Sequence, residues 1–315
     1  MNDLHNYYRS DVVRISPDEL SFIDPSAWKD IYGIRPVGGA FPKDLSGLPG
    51  VQSIVTANDT DHSRYRRLLA HGFSDKALRE QEDLIQTYIG KLMDGLKGTV
   101  PKSESKANLV DWFNWTMIDI ITDLSLGESF NCLEENAYHP WTSLIVRGMK
   151  SLSLAHVTTR FPPLGSLLSL YIPKKVKQAR ADHLKISKEK VERRLEMGGN
   201  TRPDFVDYTL RHNGEKDGMT REEIHNNMST LIGAGSDTTS SLLSAAVWYL
   251  LNYPPGLEEV NAEVRGRFQS SQDINLQAVT SDLPYLYVHP GASPPSSTRL
   301  SGSKSSVMSA ILLEG

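Results

Sequence analysis

One stretch, Met219 to Asn252, limits what this chain can fold into more than any other: MTREEIHNNMSTLIGAGSDTTSSLLSAAVWYLLN. Thr220 and Glu223 have the spacing of a capping box, in which the hydroxyl accepts the amide three residues on and the carboxylate reaches back. Tyr253, Pro254 and Pro255 stop what Thr220 starts. The helix predicted between them, about 32 residues at about 1.5 Å each, is a rod of about 48 Å that can cross a whole domain. Such a rod is a central strut. Ile224, Met228, Leu231, Leu242, Ala246 and Leu250 recur at helical spacing, yet Gly233 to Ser241 interrupt them with small and hydroxylated residues. That run weakens the helix, glycine alone costing about 1 kcal/mol against alanine.

A local role can account for the weakness. Ala234 and Thr238 stand four apart on one face, so Thr238 is placed to bond back to the Ala234 carbonyl and leave a notch. Asp237 lies about one 100° step away, near enough to exchange a proton with that hydroxyl through water. Notch, alcohol and acid suggest a small polar molecule held and protonated. The same residues also suit a small-residue helix crossing with Asp237 in solvent. A membrane span is a third reading, and Asp237 among hydroxyls at its midpoint makes it expensive.

Composition narrows the rest. A chain of 315 residues with 39% hydrophobic content can bury a core, and a net charge of −4 gives no electrostatic footprint for nucleic acid. Mean hydropathy of −0.36, with no second apolar run of span length, argues against a multi-helix membrane protein. The first 20 residues are polar and lack the apolar core of a signal peptide. The single cysteine, Cys132, excludes an internal disulfide framework and fits a reducing compartment. Three glycosylation sequons, at Asn58, Asn114 and Asn227, fall in predicted helical or buried contexts and are discounted.

Along the chain, Val12 to Ile15 and Leu20 to Ile23 predict a hairpin around Pro17 and Asp18. Asp24 caps a helix with Pro25 at its first position. Residues 35 to 58, rich in glycine and proline without a period, form a loop that includes Phe41 and Val51; an ordinary surface loop is the plain reading, and only the resemblance given below makes those two candidates to line a pocket. In Asp61-His62-Ser63-Arg64-Tyr65-Arg66-Arg67, three arginines within four residues fan out, so at least one can turn inward, where a buried arginine needs an anion. Arg64 and Arg67 then suit a docking surface for an acidic partner; a solvated basic face is the plain alternative. A helix from Ser74 to Lys97 carries Leu78, Ile85, Ile89, Leu92 and Leu96 on its core stripe. Another, Trp112 to Leu126, buries Trp112, Trp115, Ile118, Ile121 and Leu124. Cys132 follows as a packed thiol. Trp141 to Leu154 is helical, Phe161 to Ile172 is an apolar connector suited to shallow contact with a membrane surface near 161–175, and Pro173 to Met197 is a charged helix.

Ala234-Gly235-Ser236-Asp237-Thr238-Thr239 resembles the Ala/Gly-Gly-x-Asp/Glu-Thr-Thr/Ser motif on the long central helix of cytochrome P-450 monooxygenases. The arginine helix is similar to that family's Trp-x-x-x-Arg helix, with Arg66 at the Arg position and His62 at the Trp position. The resemblance covers residues 5 to 286 and points to the fungal secondary-metabolism branch. It implies a mainly α fold with a small N-terminal hairpin and one incomplete domain over 1–286. It implies heme as cofactor, NADPH delivered through a separate flavoprotein reductase, and a small apolar substrate. By the same resemblance Asp237 and Thr238 are catalytic, Ala234 and Gly235 open the oxygen groove, and His62 with Arg66 holds a heme propionate. The family resides on the cytoplasmic face of the endoplasmic reticulum; without an anchor, this chain is expected in the cytoplasm or peripheral.

Past Leu283-Pro284-Tyr285-Leu286 the resemblance stops. The family continues into Glu-x-x-Arg and a Phe-x-x-Gly-x-x-x-Cys loop, whereas this chain reads YVHPGASPPSSTRLSGSKSSVMSAILLEG. Prolines forbid a helix there, and eight serines within 293–309 give the composition of an irregular tail. A frameshift or mis-called splice near codon 287 is the expected origin. No cysteine follows Cys132, so the expectation for metal ligation is none, and activity of this polypeptide is expected to be lost. The rival expectation is a non-catalytic helical remnant that binds no heme, with a bare inner face and poor stability.

Overall fold

The structure is a computed structural model that describes residues 2–33, 41–43, 52–99, 106–139, 188–199, 201–214 and 217–286. Helix α1 (Asn2–Tyr8) leads into the hairpin β1 (Val12–Ser16) and β2 (Glu19–Phe22). The strands are antiparallel, with Val12 opposite Phe22 and Arg14 opposite Leu20. Alternation puts Val13 and Ser21 on the other face, where His5 of α1 is buried and joins the Ser10 carbonyl to the Ser21 hydroxyl. Helix α2 (Ser26–Tyr32) begins one residue later than predicted. Pro25 is the cap, and the Asp24 carboxylate accepts the Ser26 amide at 2.8 Å.

Helix α3 (Asp59–Ala70) ends in a short 3-10 turn (His71–Phe73) before α4 (Asp75–Thr99). Then come α5 (Leu109–Leu126), α6 (Cys132–Glu135), the helical residues 188–196, and α7 (Phe205–His212). The long α8 (Arg221–Asn252) follows, with α9 (Pro254–Arg267) and α10 (Leu276–Asp282) behind it. Pro254 and Pro255 both stop α8 and supply the first turn of α9, where a proline's missing amide costs nothing. The core is built where α3, α4, α5, α7 and the first half of α8 meet, around Tyr65, Leu68, Trp112, Ile118, Val206, Ile224, Met228 and Ile232. Phe268, Ala278 and Leu283 form a small second cluster.

One predicted stripe shifts in part, with Ile85, Leu92 and Leu96 still on the core, and the other holds. On α4 the buried positions are Ala77, Gln81, Tyr88 and Leu92, and Ile89 is 40% exposed because it lies one helical step off that line. The helix also continues past Lys97 and Gly98, since Gly98 faces open space and nothing there forces a stop. On α5, Trp112, Ile118 and Leu124 are buried as expected, and Trp115 and Ile121 are partly so. Gly127, at φ +74°, closes α5 by donating its amide to the Asp123 carbonyl at 2.9 Å.

Leu242, Trp248 and Leu251, on the last third of α8, are more than half exposed. Among the described residues no helix is long and apolar enough to cross a membrane. Phe41 is exposed; Val51, the predicted helix at 141–154, the connector at 161–172, most of the charged helix before 188, and the tail 287–315 lie outside the described residues.

Candidate functional site

Thr220 caps α8 as its sequence dictates: its hydroxyl accepts the Glu223 amide at 3.2 Å, and Glu223 accepts the Thr220 amide at 2.8 Å. The helix then serves two purposes on two faces, so the notch and the helix crossing coexist. Ile224, Met228, Ile232, Ser236 and Ser240 are buried on the side that packs against α5. Ser240 donates to the Asn114 side-chain oxygen at 2.8 Å across that seam. Gly235 belongs to the seam as well, because a Cβ there would lie 2.9 Å from Cδ1 of Ile121. Its bareness admits α5 at this point of the seam.

Ala234, Asp237 and Thr238 are exposed on the open face. The Thr238 hydroxyl donates to the Ala234 carbonyl at 2.6 Å, the back-bond its spacing predicted. Asp237 stands beside it, one residue earlier on the same helix. An alcohol, an acid and a nearly bare stretch of backbone therefore share one accessible surface.

Helix α3 starts at Asn58, whose side chain accepts the Asp61 amide at 2.9 Å. Its arginines fan out, and the one that turns inward is Arg64. The guanidinium donates to Glu223 at 2.6 and 3.0 Å, to Asp61 at 2.7 Å and to the Gly218 carbonyl at 2.7 Å. Tyr65, fully buried, donates its hydroxyl to the same Glu223 at 2.6 Å. The Arg64 hydrogen bonds hold the Glu223 carboxyl down to about 2, and burial with Glu223 beside it pushes the Tyr65 phenol up. This correction removes Arg64 from any docking surface. Arg67 stays outward, 3.7 Å from Asp217. Arg66 is exposed and makes no ion pair among the described residues, and His62, one turn earlier on the same face, is half-buried.

No hydrogen bond among the described residues joins His62 or Arg66 to Ala234, Asp237 or Thr238. Arg64 and Tyr65 on Glu223 hold their elements together instead, and Asn227 on α8, fully buried, accepts the Ile54 amide at 2.7 Å from the chain before α3. Sequence reasoning gave Glu223 only its capping role and Asn227 only a discounted sequon. The signal available was the pairing problem itself: an arginine cluster needing an anion, and an acid already fixed at a helix start.

These residues fit part of the cofactor that the motifs imply. Arg66, a cation with no carboxylate on it among the described residues, suits a propionate, and the open Ala234–Thr238 face suits the oxygen side. Cys132, the only cysteine, is fully buried, and its amide and that of Leu133 donate to the Asp119 carboxylate at 3.0 and 2.9 Å. Its thiol lies in the core, as predicted. No group of three or more metal-ligating side chains occurs among the described residues.

Fold and site together define a mainly helical domain strung on one long helix that carries an alcohol and an acid on its open face. The sequence profile of the cytochrome P-450 family matches residues 39–288, and the chain belongs to that family. It is 39% identical over 280 residues to cytochrome P-450 monooxygenase astA of Talaromyces wortmannii, covering 88% of this chain and 56% of that protein. It is 38% identical to trichothecene C-4 hydroxylase of Trichoderma arundinaceum, covering 91% and 57%, and 40% identical to averantin hydroxylase of Dothistroma septosporum, covering 88% and 52%. The chain thus spans just over half the length of the curated relatives it matches. The crystal structure of the cytochrome P-450DA heme domain shares the fold, with a TM-score of 0.66 at 16% identity over 85% of this chain and 58% of that one.

Proposed function

We propose that this chain acts in a heme monooxygenase that inserts one oxygen atom of O2 into a small apolar secondary metabolite, with electrons from NADPH through a flavoprotein reductase. Bound heme supplies oxygen binding and activation. Arg66, with His62, holds a propionate. Ala234 leaves the space in which a small polar molecule sits against α8. Thr238 and Asp237 deliver protons there, the acid drawing on solvent and the hydroxyl passing the proton on at Oγ1. Apolar contact with the substrate, and contact with a membrane surface near 161–175, belong to the same reading, as does a cytoplasmic or peripheral location. The observation that carries it is the Thr238 to Ala234 bond at 2.6 Å on an exposed face with Asp237 adjacent.

The test is titration of the purified chain with hemin, followed by turnover with reductase and NADPH. A saturable Soret band is expected, with Thr238→Ala forming about a hundredfold less product per NADPH consumed, the low end of what one positioned proton donor contributes. Absence of a saturable band sinks the proposal. A second reading is a non-catalytic remnant that binds no heme, with the Cys132 thiol packed wholly in the core. That reading expects no Soret band at all.

A further inference from the structure

The inference concerns how α3 is aimed. At about 100° per residue, Arg64 and Arg66 lie about 200° apart around α3, with Tyr65 midway between them. Tyr65 faces the core, so Arg64 and Arg66 occupy opposite flanks of the helix. Whatever grips Arg64 therefore sets the roll of α3 and the direction of Arg66. The grip is Glu223, which takes two hydrogen bonds from Arg64, one from the Tyr65 hydroxyl and one from the Thr220 amide.

Glu223 also lies on an informative face of α8. Counted the same way, Glu223, Asn227, Ala234 and Thr238 fall within about 60° of one another, and Thr238 is about 22 Å along the axis from Glu223. The α3 anchor and the open notch thus share one side of the strut. Asn227, accepting the Ile54 amide and donating to the Glu223 carbonyl at 2.8 Å, ties down the chain entering α3 on that same side. A capping box needs none of this: Thr220 and Glu223 satisfy each other without Arg64 or Tyr65.

We propose that Glu223, gripping Arg64 and Tyr65, is a positioning residue that fixes the roll of α3 and so aims Arg66 at the cofactor carboxylate. The proposal rests on the heme reading given above. The experiment compares hemin with its dimethyl ester, which lacks the propionate charges, by Soret titration of the full chain. The unmodified protein is expected to prefer hemin, and Arg66→Ala to lose about tenfold of that preference, the size of one charge-assisted hydrogen bond. Glu223→Gln is expected to lose the same preference, and to add nothing further in the Arg66→Ala background. If Glu223→Gln does not fold, Tyr65→Phe, which removes only one bond to Glu223, decides by the same ratio, with a partial loss expected. Equal weakening of both ligands, or an unchanged ratio, overturns the proposal, because a residue with a purely structural role moves both affinities together. A wild-type protein that shows no preference, or binds neither ligand, instead overturns the parent reading and this proposal with it.

Discussion

Gly127 and Gly198 have the same backbone angle, φ +74°, and opposite surroundings. A Cβ at Gly198 would meet nothing within 4 Å. At Gly127 it would lie 2.6 Å from Cδ of Arg194. That arginine cannot step aside. Its side chain is 0% exposed, donates to both oxygens of an equally buried Asp204 at 2.7 and 3.0 Å, and reaches the Gly198 carbonyl at 3.0 Å. Alanine at either site carries about 1–2 kcal/mol of left-handed strain, offset in both by a similar loss of unfolded-state freedom. Only Gly127→Ala adds overpacking of about 1–3 kcal/mol. Urea unfolding should therefore place Gly127→Ala about 1–3 kcal/mol below Gly198→Ala, with unchanged denaturant slopes. Equal midpoints would refute the claim that Arg194 is immovable, and the buried pair would then be softer than its geometry implies.

Glu223 predicts a pH dependence. Its folded value of about 2 lies below its ordinary 4.5, so the stabilisation is fully present above about pH 4.5 and is lost as pH falls toward 2. The ceiling is about 3 kcal/mol. In urea melts, the gap between wild type and Glu223→Gln should shrink by more than half between pH 7 and pH 3; a constant gap would show that the charge is not what matters. Gly235→Val should cost about 1–3 kcal/mol through Ile121, whereas Ala234→Val on the open face should cost less than about 1 kcal/mol. Thermal melts showing the reverse order would move the seam to the other face. Cys132, fully buried, should react with a thiol reagent only at the rate of unfolding; rapid labelling in the native state would contradict its place in the core.

Local rules were readable at this chain's helix ends. Thr220 with Glu223 marked the start of α8 to the residue, and the spacing of Ala234 and Thr238 foretold their hydrogen bond, because both depend only on neighbours along one helix. The hairpin also stood where its alternation and Pro17 put it. Pairings between helices were another matter. Nothing within α3 says that Arg64 rather than Arg66 turns inward, since that depends on where Glu223 sits after α3 and α8 have packed. Gly235 shows the same limit: its missing side chain suited a groove or a neighbour, and only the position of Ile121 decides. Arg194, fully buried, sat in a stretch of Lys, Arg and Glu that composition marks as solvated, and its burial depends on Asp204 capping the next helix.

The bond from Thr238 to Ala234 has one more consequence, in the direction of its proton. A hydroxyl has a single hydrogen, and here it points inward at 2.6 Å to a carbonyl of its own helix. What Thr238 turns outward is lone pairs. At rest the notch accepts hydrogen bonds and donates none from this residue, so water or a protonated Asp237 binds it readily and an anion does not. The hydroxyl becomes a donor only when an arriving group is a better acceptor than the Ala234 carbonyl and turns it about the Cβ–Oγ1 bond. In the proposed function, selectivity for a basic oxygen over a neutral one would then follow from a competition against the backbone.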